Sequence, residues 1–172
     1  MNNNYVIAIT RTCGSGATSI SRILGERLGI NVYDRNLLRL ASDDSGINEE
    51  LFARADEHMK QSLLYRISKK VYNGEIIPPD SNDFTSNDNL FNYQAKVLKE
   101  LAANESFICI GRAADYILKD NPNLITIFIC APMDKCIKRE MELLSFDAKK
   151  AEQHIITTDL SLIHISEPTR RS

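Results

Sequence analysis

The chain lacks the features that would place it in a membrane, in an oxidising compartment or along a nucleic-acid polymer. No apolar run among its 172 residues approaches the roughly 20 needed to span a bilayer, and the N-terminus does not have the pattern of a secretory signal. The four cysteines show no CxxC spacing, which argues against a disulfide framework or a zinc site. Lys plus Arg number 21 against 23 for Asp plus Glu, so the overall charge does not favour nucleic acid. We therefore expect a cytoplasmic protein with reduced thiols, and neither a membrane nor a nucleic-acid polymer as partner.

What is present is the pattern of one parallel α/β domain. Short apolar runs rich in β-branched residues predict strands at residues 5–10, 30–33, 106–110 and 124–130. A glycine-containing loop at 11–18 separates the first strand from a helix that ends at Gly29, and the order strand, glycine loop, helix, strand predicts a parallel sheet. Further helices are predicted at 34–42, 48–59, 61–72, 90–103, 113–119 and 132–144, with a loop at 73–89.

The loop between the first strand and the first helix is the most informative segment. Gly14 and Gly16 allow backbone N–H groups to point inward and approach a ligand closely. The following helix adds unpaired donors and a partial positive charge at its N-terminus. This arrangement predicts a phosphate cradle, although a glycine turn without a ligand would give the same local pattern.

The loop matches the phosphate-binding pattern GxxxxGK[ST] only in part. Gly16 occupies the position of the second glycine, and Thr18 that of the hydroxyl that binds Mg²⁺. Arg11 stands where the first glycine belongs, and Ala17 where the lysine belongs. Another cation must replace that lysine if phosphoryl transfer is to be efficient, and Arg11 is the nearest candidate.

Four segments in order resemble the cytidylate kinase-like family, a branch of the P-loop nucleoside monophosphate kinases whose glycine loop lacks the lysine. They are TRTCGSGA at 10–17, LGINVYDR at 28–35, FICIGRAADYIL at 107–118 and IFICAPMDK at 127–135. The resemblance implies a P-loop NTPase-type three-layer fold, with a parallel sheet and helices on both faces. It also implies an ATP-dependent kinase that uses Mg²⁺ and transfers the γ-phosphoryl group to CMP or a related nucleoside monophosphate.

The resemblance and the loop pattern together assign the candidate site residues. The expected ATP-binding residues are Arg11, Cys13, Gly14, Ser15, Gly16, Ala17, Thr18 and Ser19, with Thr18 also the metal ligand. Asp34, Arg39 and Arg112 are expected to bind the monophosphate, and Arg11, Arg112 and Arg139 are the candidate catalytic cations.

Each of these side chains also has an ordinary structural interpretation. Arg112, at the carboxyl end of a strand where α/β folds bind ligands, could instead form a surface ion pair with a nearby aspartate. Asp34 could cap the following helix, and Arg39 could simply be solvated. Arg139 could lie on an exposed helix face, and Cys136 stands where the family often has an arginine.

The C-terminal residues are expected to lie outside the domain. Residues 160–170 resemble the translation of a transposase-type sequencing adaptor, so we expect a kinase-like domain at 1–159 and a non-native tail at 160–172. Residues 145–158 would then begin the lid, and the resemblance implies that later lid cations and a last strand are missing. We therefore expect poor or no turnover from this chain.

Two other functions remain open at the level of sequence. Ala17 at the lysine position suits a nucleotide-binding pseudokinase or sensor that transfers no phosphoryl group. A glycine-loop protein with a different anionic ligand is the third possibility. The sequence leaves the oligomeric state and the identity of the monophosphate undetermined.

Overall fold

The computed structural model describes residues 4–54, 76–77 and 85–166. The described elements are β1 (Val6–Arg11), α1 (Ala17–Leu28), β2 (Asn31–Tyr33), α2 (Asn36–Ser45), α3 (Asn87–Asn104), β3 (Phe107–Ile110), α4 (Ala114–Ile117), β4 (Leu124–Ile129), α5 (Met133–Leu144) and α6 (Ala148–Ser166). Residues 49–54 are also helical. The predicted helix at 61–72, the second half of the one at 48–59 and most of the loop at 73–89 lie outside the described residues.

The four predicted strands form one parallel sheet in the order β2-β3-β1-β4. In this sheet Val6 of β1 lies opposite Phe107 of β3 on one side and Leu124 of β4 on the other. The prediction of a parallel sheet is confirmed. β4 is one of the two edge strands of the described sheet, and its Phe128 is 58% exposed.

Both faces of the two central strands are buried. Val6 and Ala8 belong to one apolar cluster, whereas Ile7 and Ile9 belong to a second. The same alternation divides the residues of β3 between the two clusters. Because successive side chains of a strand point to opposite faces, the two clusters lie on opposite sides of the sheet. This double burial explains why the central strands are continuously apolar in sequence.

Helices cover both faces, as the predicted three-layer fold requires. Helix α1 contributes Ala17 to the cluster around Ile7, and α2 contributes Leu37 and Leu38 to the cluster around Val6, together with residues of α3. Gly25 lets α1 approach β2 closely, because a Cβ at this position would lie 3.0 Å from the carbonyl oxygen of Ile30 and closer still to Val32.

The connections create a topological switch point at the carboxyl ends of β1 and β3. The chain leaves β1 through α1 to β2, which lies beyond β3. It leaves β3 through α4 to β4, which lies on the other side of β1. Neighbouring strands whose connections depart in opposite directions form a topological switch point, where open α/β folds bind ligands.

Helices α5 and α6 pack against each other near this end of the sheet. Helix α5 buries Cys136 and Glu140, and α6 buries Ala151 and Ile155. The predicted helix at 132–144 is confirmed, with Pro132 as its N-cap. Residues 148–158, expected to begin a lid, form the first part of α6, and their role as a lid stays a prediction. None of the described helices combines the length and the apolar character that a membrane span requires.

Candidate functional site

Five residues connect β1 to α1, and they form a tight turn with two glycines in the left-handed conformation. The N–H of Ser15 donates to the carbonyl oxygen of Thr12 at 3.3 Å, which closes the turn. Gly14 has φ 72° and Gly16 has φ 83°. A side chain at either position would strain the backbone, so the sequence needs glycine at both to make this turn.

The turn presents main-chain donors at the N-terminus of α1. Helix geometry leaves the first-turn N–H groups of α1 without an intrahelical acceptor. No described residue accepts a hydrogen bond from the N–H of Gly14, Gly16, Ala17 or Thr18. In the same described part of the chain, the buried hydroxyl oxygens of Thr12 and Ser15 also lack a partner. Buried polar groups are normally paired, so the loop has the unused hydrogen-bonding capacity of a ligand site.

One loop amide is already bound to a carboxylate. The N–H of Cys13 donates to Asp159 Oδ1 at 2.7 Å, across 146 residues of sequence. A carboxylate oxygen is a small anionic acceptor, as a phosphate oxygen is. The loop therefore accepts negative charge in the folded chain. The sequence around the loop does not predict this contact, because Asp159 lies on α6, 146 residues further along the chain.

Helix α5 lies directly against the loop and brings a cation to it. The backbone of Cys136 is so close that a Cβ on Gly14 would lie 2.8 Å from the Cys136 carbonyl oxygen. Arg139, one turn further along α5, donates from Nη1 to the carbonyl oxygen of Gly14 at 3.0 Å. Its guanidinium also lies where a Cβ on Gly16 would be. The structure thus brings the predicted Arg139 to the glycine loop.

The other residues predicted to bind ATP lie at the start of α1 and at the end of β1. Ala17 is 1% exposed and packs in the core, so its small apolar side chain serves the fold at the position where a lysine is missing. Thr18 is half-buried, and Ser19 is exposed on the first turn of α1. Arg11 ends β1, and its Nη1 lies 3.9 Å from where a Cβ on Gly111 would be. Arg11 therefore lies between the ends of β1 and β3, beside the loop.

The end of β3 has a strained backbone. Gly111, Arg112 and Ala113 have φ values of 71°, 60° and 50° in succession. Two of these three residues carry side chains, for which the left-handed conformation is unfavourable. Such strain is concentrated at functional sites, where the surrounding structure holds the residue in place. The position of Arg112 at this strained strand end is consistent with its predicted role in a site.

Charged side chains surround the same strand end. Burial raises the pKa of the Cys109 thiol to about 12; Arg112 acts in the opposite direction, while Asp34 and Asp115 raise the pKa further. Arg112 and Asp34 are thus both close enough to act on one buried thiol. Helix α2 begins at Asn36 with no side-chain cap hydrogen bond, so the structure gives no support to Asp34 as its cap. Arg39 is exposed on α2.

Sequence reasoning missed a group of side chains around Cys13. Burial raises the pKa of the Cys13 thiol to about 11, and the nearby carboxylates of Glu140 and Asp159 raise it in the same direction. His154 lies 3.8 Å from Glu140, measured from Nε2 to Oε2. These residues come from three separate elements, so no local spacing could have predicted the group.

Comparisons with known proteins agree with the fold and identify the family. The model of the cytidylate kinase-like family matches residues 6–162. A cytidylate kinase of Fervidobacterium nodosum is 23% identical over 164 residues, which cover 87% of this chain and 74% of the relative. A crystal structure of an uncharacterized protein from Eubacterium ventriosum is similar with a TM-score of 0.60 and 25% identity, over 94% of this chain and 76% of that one. Because the family match spans nearly all of the described domain, the chain belongs to the cytidylate kinase-like family.

Proposed function

We propose that the chain binds ATP at the glycine loop and transfers its γ-phosphoryl group to CMP or a closely related nucleoside monophosphate. Membership of the family supports a phosphotransferase in general. The observation that carries the proposal is the position of Arg139, whose guanidinium lies against Gly14 and Gly16 in a loop that has no lysine.

Charge is what this loop needs most. Phosphoryl transfer depends on positioning and on positive charge around the phosphate oxygens, and the protein does little covalent chemistry. In the proposed complex the main-chain N–H groups of Gly14, Gly16, Ala17 and Thr18 bind the β and γ phosphates, and Arg139 supplies the charge that Ala17 cannot. A guanidinium can donate two hydrogen bonds to one phosphate, which makes arginine a suitable replacement for lysine.

The contact of the Asp159 carboxylate with the loop indicates that the loop can bind an anion. The same carboxylate competes with a nucleotide phosphate for that position. Its oxygen accepts from the Cys13 N–H, so a main-chain donor of the loop already binds negative charge. A nucleotide phosphate that takes this position must displace the carboxylate. We propose that α6 moves away from the loop when ATP binds.

The end of β3 forms the acceptor side of the proposed site. Arg112 binds the phosphate of the monophosphate, Arg11 lies between the two phosphates, and Asp34 orients the acceptor nucleotide. Arg39, which is exposed on α2, makes at most a peripheral contact. The two strand ends adjoin in the sheet, so the acceptor oxygen and the γ-phosphate can meet in one crevice.

The residues at the start of α1 fit a magnesium ion. Thr18 offers a hydroxyl oxygen on the first turn of α1, beside the proposed phosphate donors. Mg²⁺ keeps several waters and takes only one or two protein ligands together with phosphate oxygens, so a single hydroxyl suffices. When bound, the ion neutralises charge on the β and γ phosphates. Thr18 would hold it, while Arg139 and Arg112 place the two nucleotides in line.

The direct test is to measure ADP formation by the purified chain with ATP, Mg²⁺ and each of CMP, UMP and AMP, and to identify the product by chromatography. We expect CMP to bind, as measured by calorimetry, and to be converted slowly to CDP, with less product from the other two acceptors. ATP binding without either CMP binding or a diphosphate product would favour the alternative function, a pseudokinase or sensor, to which Ala17 points. Absence of ATP binding would contradict both functions.

A variant of α6 tests the loop separately from the chemistry. The substitution Asp159→Asn keeps the shape of the side chain and removes its negative charge. We expect ATP to bind about three to ten times more tightly, since the variant no longer offers a competing carboxylate. The matched control is Asp147→Asn. Asp147 lies just before α6, and its side chain accepts a hydrogen bond from the N–H of Lys150. This substitution should leave the affinity for ATP unchanged.

Two further proposals concern the chain as a whole. We propose that residues 1–159 contain the kinase-like domain and that 160–172 form a tail that the fold does not need. Helix α6 continues through Ser166, so the proposed boundary lies within a helix. A chain ending at Asp159 should keep the thermal stability and ATP affinity of the longer chain. The proposed cellular location is the cytoplasm, where ATP and nucleoside monophosphates are available.

A further inference from the structure

Three side chains of the types that bind transition metals meet beside the glycine loop. Cys13 lies in the loop, Glu140 in α5 and His154 in α6, and one ligand atom from each lies within 4.8 Å of the other two. Only the main chain of Cys13 has a part in the proposed phosphate binding, and the other two residues have none. We propose that these three residues, called here the Cys13 cluster, bind one Zn²⁺ ion.

The cluster has a surplus of negative charge. Glu140 is 7% exposed, and a buried carboxylate is costly unless a cation compensates it. Its ion-pair partner in the described part of the chain is His154, which carries a charge only when protonated. Asp159 adds a second carboxylate near Cys13. A divalent cation at this position would neutralise both carboxylates and would favour the thiolate form of Cys13.

The donor set suits zinc better than magnesium. Zn²⁺ binds thiolate sulfur, imidazole nitrogen and carboxylate oxygen together, and many of its sites use three protein ligands and one open position. Water can fill that fourth position. Tetrahedral bonds of about 2.0–2.3 Å place ligand atoms about 3.3–3.8 Å apart, so ligand atoms that now lie within 4.8 Å of one another must approach by at most about 1.5 Å. Mg²⁺ prefers oxygen ligands alone, so this site is separate from the one proposed at Thr18.

Binding follows a simple balance. The Cys13 thiol loses its proton to the buffer, a bond forms between sulfur and zinc, and the neutral imidazole of His154 and the Glu140 carboxylate each donate one electron pair to the ion. No electron is transferred, and no other reactant is needed. One proton should therefore appear in solution for each zinc bound when His154 starts neutral.

The position of Cys13 gives the site a regulatory consequence, and this consequence alone rests on the proposed function. Zinc would join the loop to α5 and α6 and would hold α6 in the arrangement in which Asp159 accepts from the Cys13 N–H. ATP needs that arrangement to open. Zinc should thus weaken ATP binding, and ATP should weaken zinc binding by the same factor, because coupling between two ligands is reciprocal.

The first experiment measures zinc binding without nucleotide. The full chain is freed of metal with a chelator and titrated with Zn²⁺ against a chromophoric competitor. We expect one equivalent bound, and an affinity loss of about tenfold or more in Cys13→Ser and in Glu140→Gln, a loss comparable to that caused by disturbing a metal ligand's surroundings. The matched controls are Cys130→Ser, which removes an exposed thiol, and Glu142→Gln on the same helix as Glu140; both should bind as the parent does.

Cobalt gives a second readout that identifies the sulfur ligand. Co²⁺ in place of Zn²⁺ should show a thiolate charge-transfer band in the parent and in Cys130→Ser, and none in Cys13→Ser. If Cys13→Ser does not fold, the zinc titration is repeated with His154→Gln, which should bind zinc about tenfold more weakly. His154 is partly exposed, so its loss should leave the fold intact. The proposal would be overturned if the parent did not bind zinc. It would also be overturned if all three variants, Cys13→Ser, Glu140→Gln and His154→Gln, bound zinc as tightly as the parent.

The second experiment measures the coupling to ATP at a buffered concentration of free Zn²⁺. We expect zinc to weaken ATP binding in the parent and to have no effect in His154→Gln. Zinc binding with an unchanged ATP affinity would overturn the regulatory consequence while the metal site would stand. ATP affinity that is absent with or without zinc would contradict the proposed function and leave the zinc result intact.

Discussion

The cation that contacts the glycine loop after β1 comes from a distant helix, whereas the cation at the end of β3 lies two residues beyond the strand in sequence. The glycine loop has a turn that its glycines adopt easily, and its cation, Arg139, arrives from α5 through packing. Arg112 follows β3 and is held there in a left-handed conformation that its side chain disfavours. The first half of the proposed site thus depends on tertiary packing, and the second on local backbone strain.

The two ends differ in how readily the charge beside them can move. Movement of α5 and α6 can change the charge at the glycine loop without changing the loop itself. The end of β3 lies in the buried centre of the sheet and has no comparable freedom, since all four residues of that strand are buried. We infer that the ATP side of the site is the adjustable one.

The largest effect is expected from removing the cation that packing brings to the loop. Arg139→Ala should lower the rate of ADP formation about 10²–10³-fold, the loss typical for a group that stabilises developing charge. The rate of ADP formation by Arg139→Lys should lie between those of Arg139→Ala and the parent, because a lysine supplies charge but not the paired donors of a guanidinium. Steady-state kinetics with CMP measure both.

Lys138→Ala is the matched control for Arg139, since the two residues are neighbours and both are exposed on α5. Its rate should stay within about twofold of the parent, as expected of a surface substitution. An equal loss in Lys138→Ala and Arg139→Ala would mean that general charge on α5 matters, and not the contact with Gly14.

The next largest effect concerns the strained strand end. Arg112→Ala should raise the KM for CMP about 10–100-fold, because a charge-assisted contact to the acceptor phosphate is lost, and should leave the Kd for ATP unchanged. Arg39→Ala, on the exposed face of α2, should change either constant less than about threefold. A weaker affinity for ATP in Arg112→Ala would contradict the division of the site between the two strand ends.

Alanine substitutions at two glycines distinguish an effect on ATP binding from an effect of backbone strain on stability. Gly16 and Gly29 both have positive φ, so alanine at either position should lower the free energy of unfolding by about 1–2 kcal/mol. Only at Gly16 would the new Cβ overlap the guanidinium of Arg139, while that of Gly29 meets nothing within 4 Å. Gly16→Ala should therefore also weaken ATP binding about tenfold, as loss of a good contact does. Calorimetry and urea unfolding measure the two effects, and equal ATP affinity in both variants would refute this account.

The smallest effect is a pH dependence at the loop. The pKa of the Cys13 thiol rises from 9.0 to about 11 on folding, chiefly through burial, so the folded state holds its proton more firmly than the unfolded state. The stabilising contribution of this group is complete below about pH 9 and is lost as the pH rises towards about 11. Cys13→Ser should remove part of the decline in unfolding free energy over that interval. At neutral pH the exposed Cys130 should be alkylated before Cys13; the reverse order would contradict this.

The sequence predicted the parts of the molecule that local pattern determines. The apolar runs gave all four strands, and the two glycines gave the turn into α1, because both signals come from residues adjacent in the chain. The approach of Arg139 to Gly14 spans 125 residues, and that of Asp159 to Cys13 spans 146. Such contacts depend on how α5 and α6 pack, for which periodicity gives no angle or distance. The resemblance to a known family suggested Arg139, but nothing in the sequence suggested Asp159, Glu140 or His154.

The central claim is that main-chain amides of the glycine loop, aided by Arg139, bind the phosphates of ATP. The most direct measurement is a titration of the isotope-labelled chain with ATP and Mg²⁺, followed through the amide resonances of Gly14, Gly16 and Thr18. The account predicts saturable shifts at all three in the parent chain, with an affinity that Arg139→Ala reduces and Lys138→Ala does not. Resonances that stay unmoved through the titration, or an affinity that Arg139→Ala leaves unchanged, would contradict it.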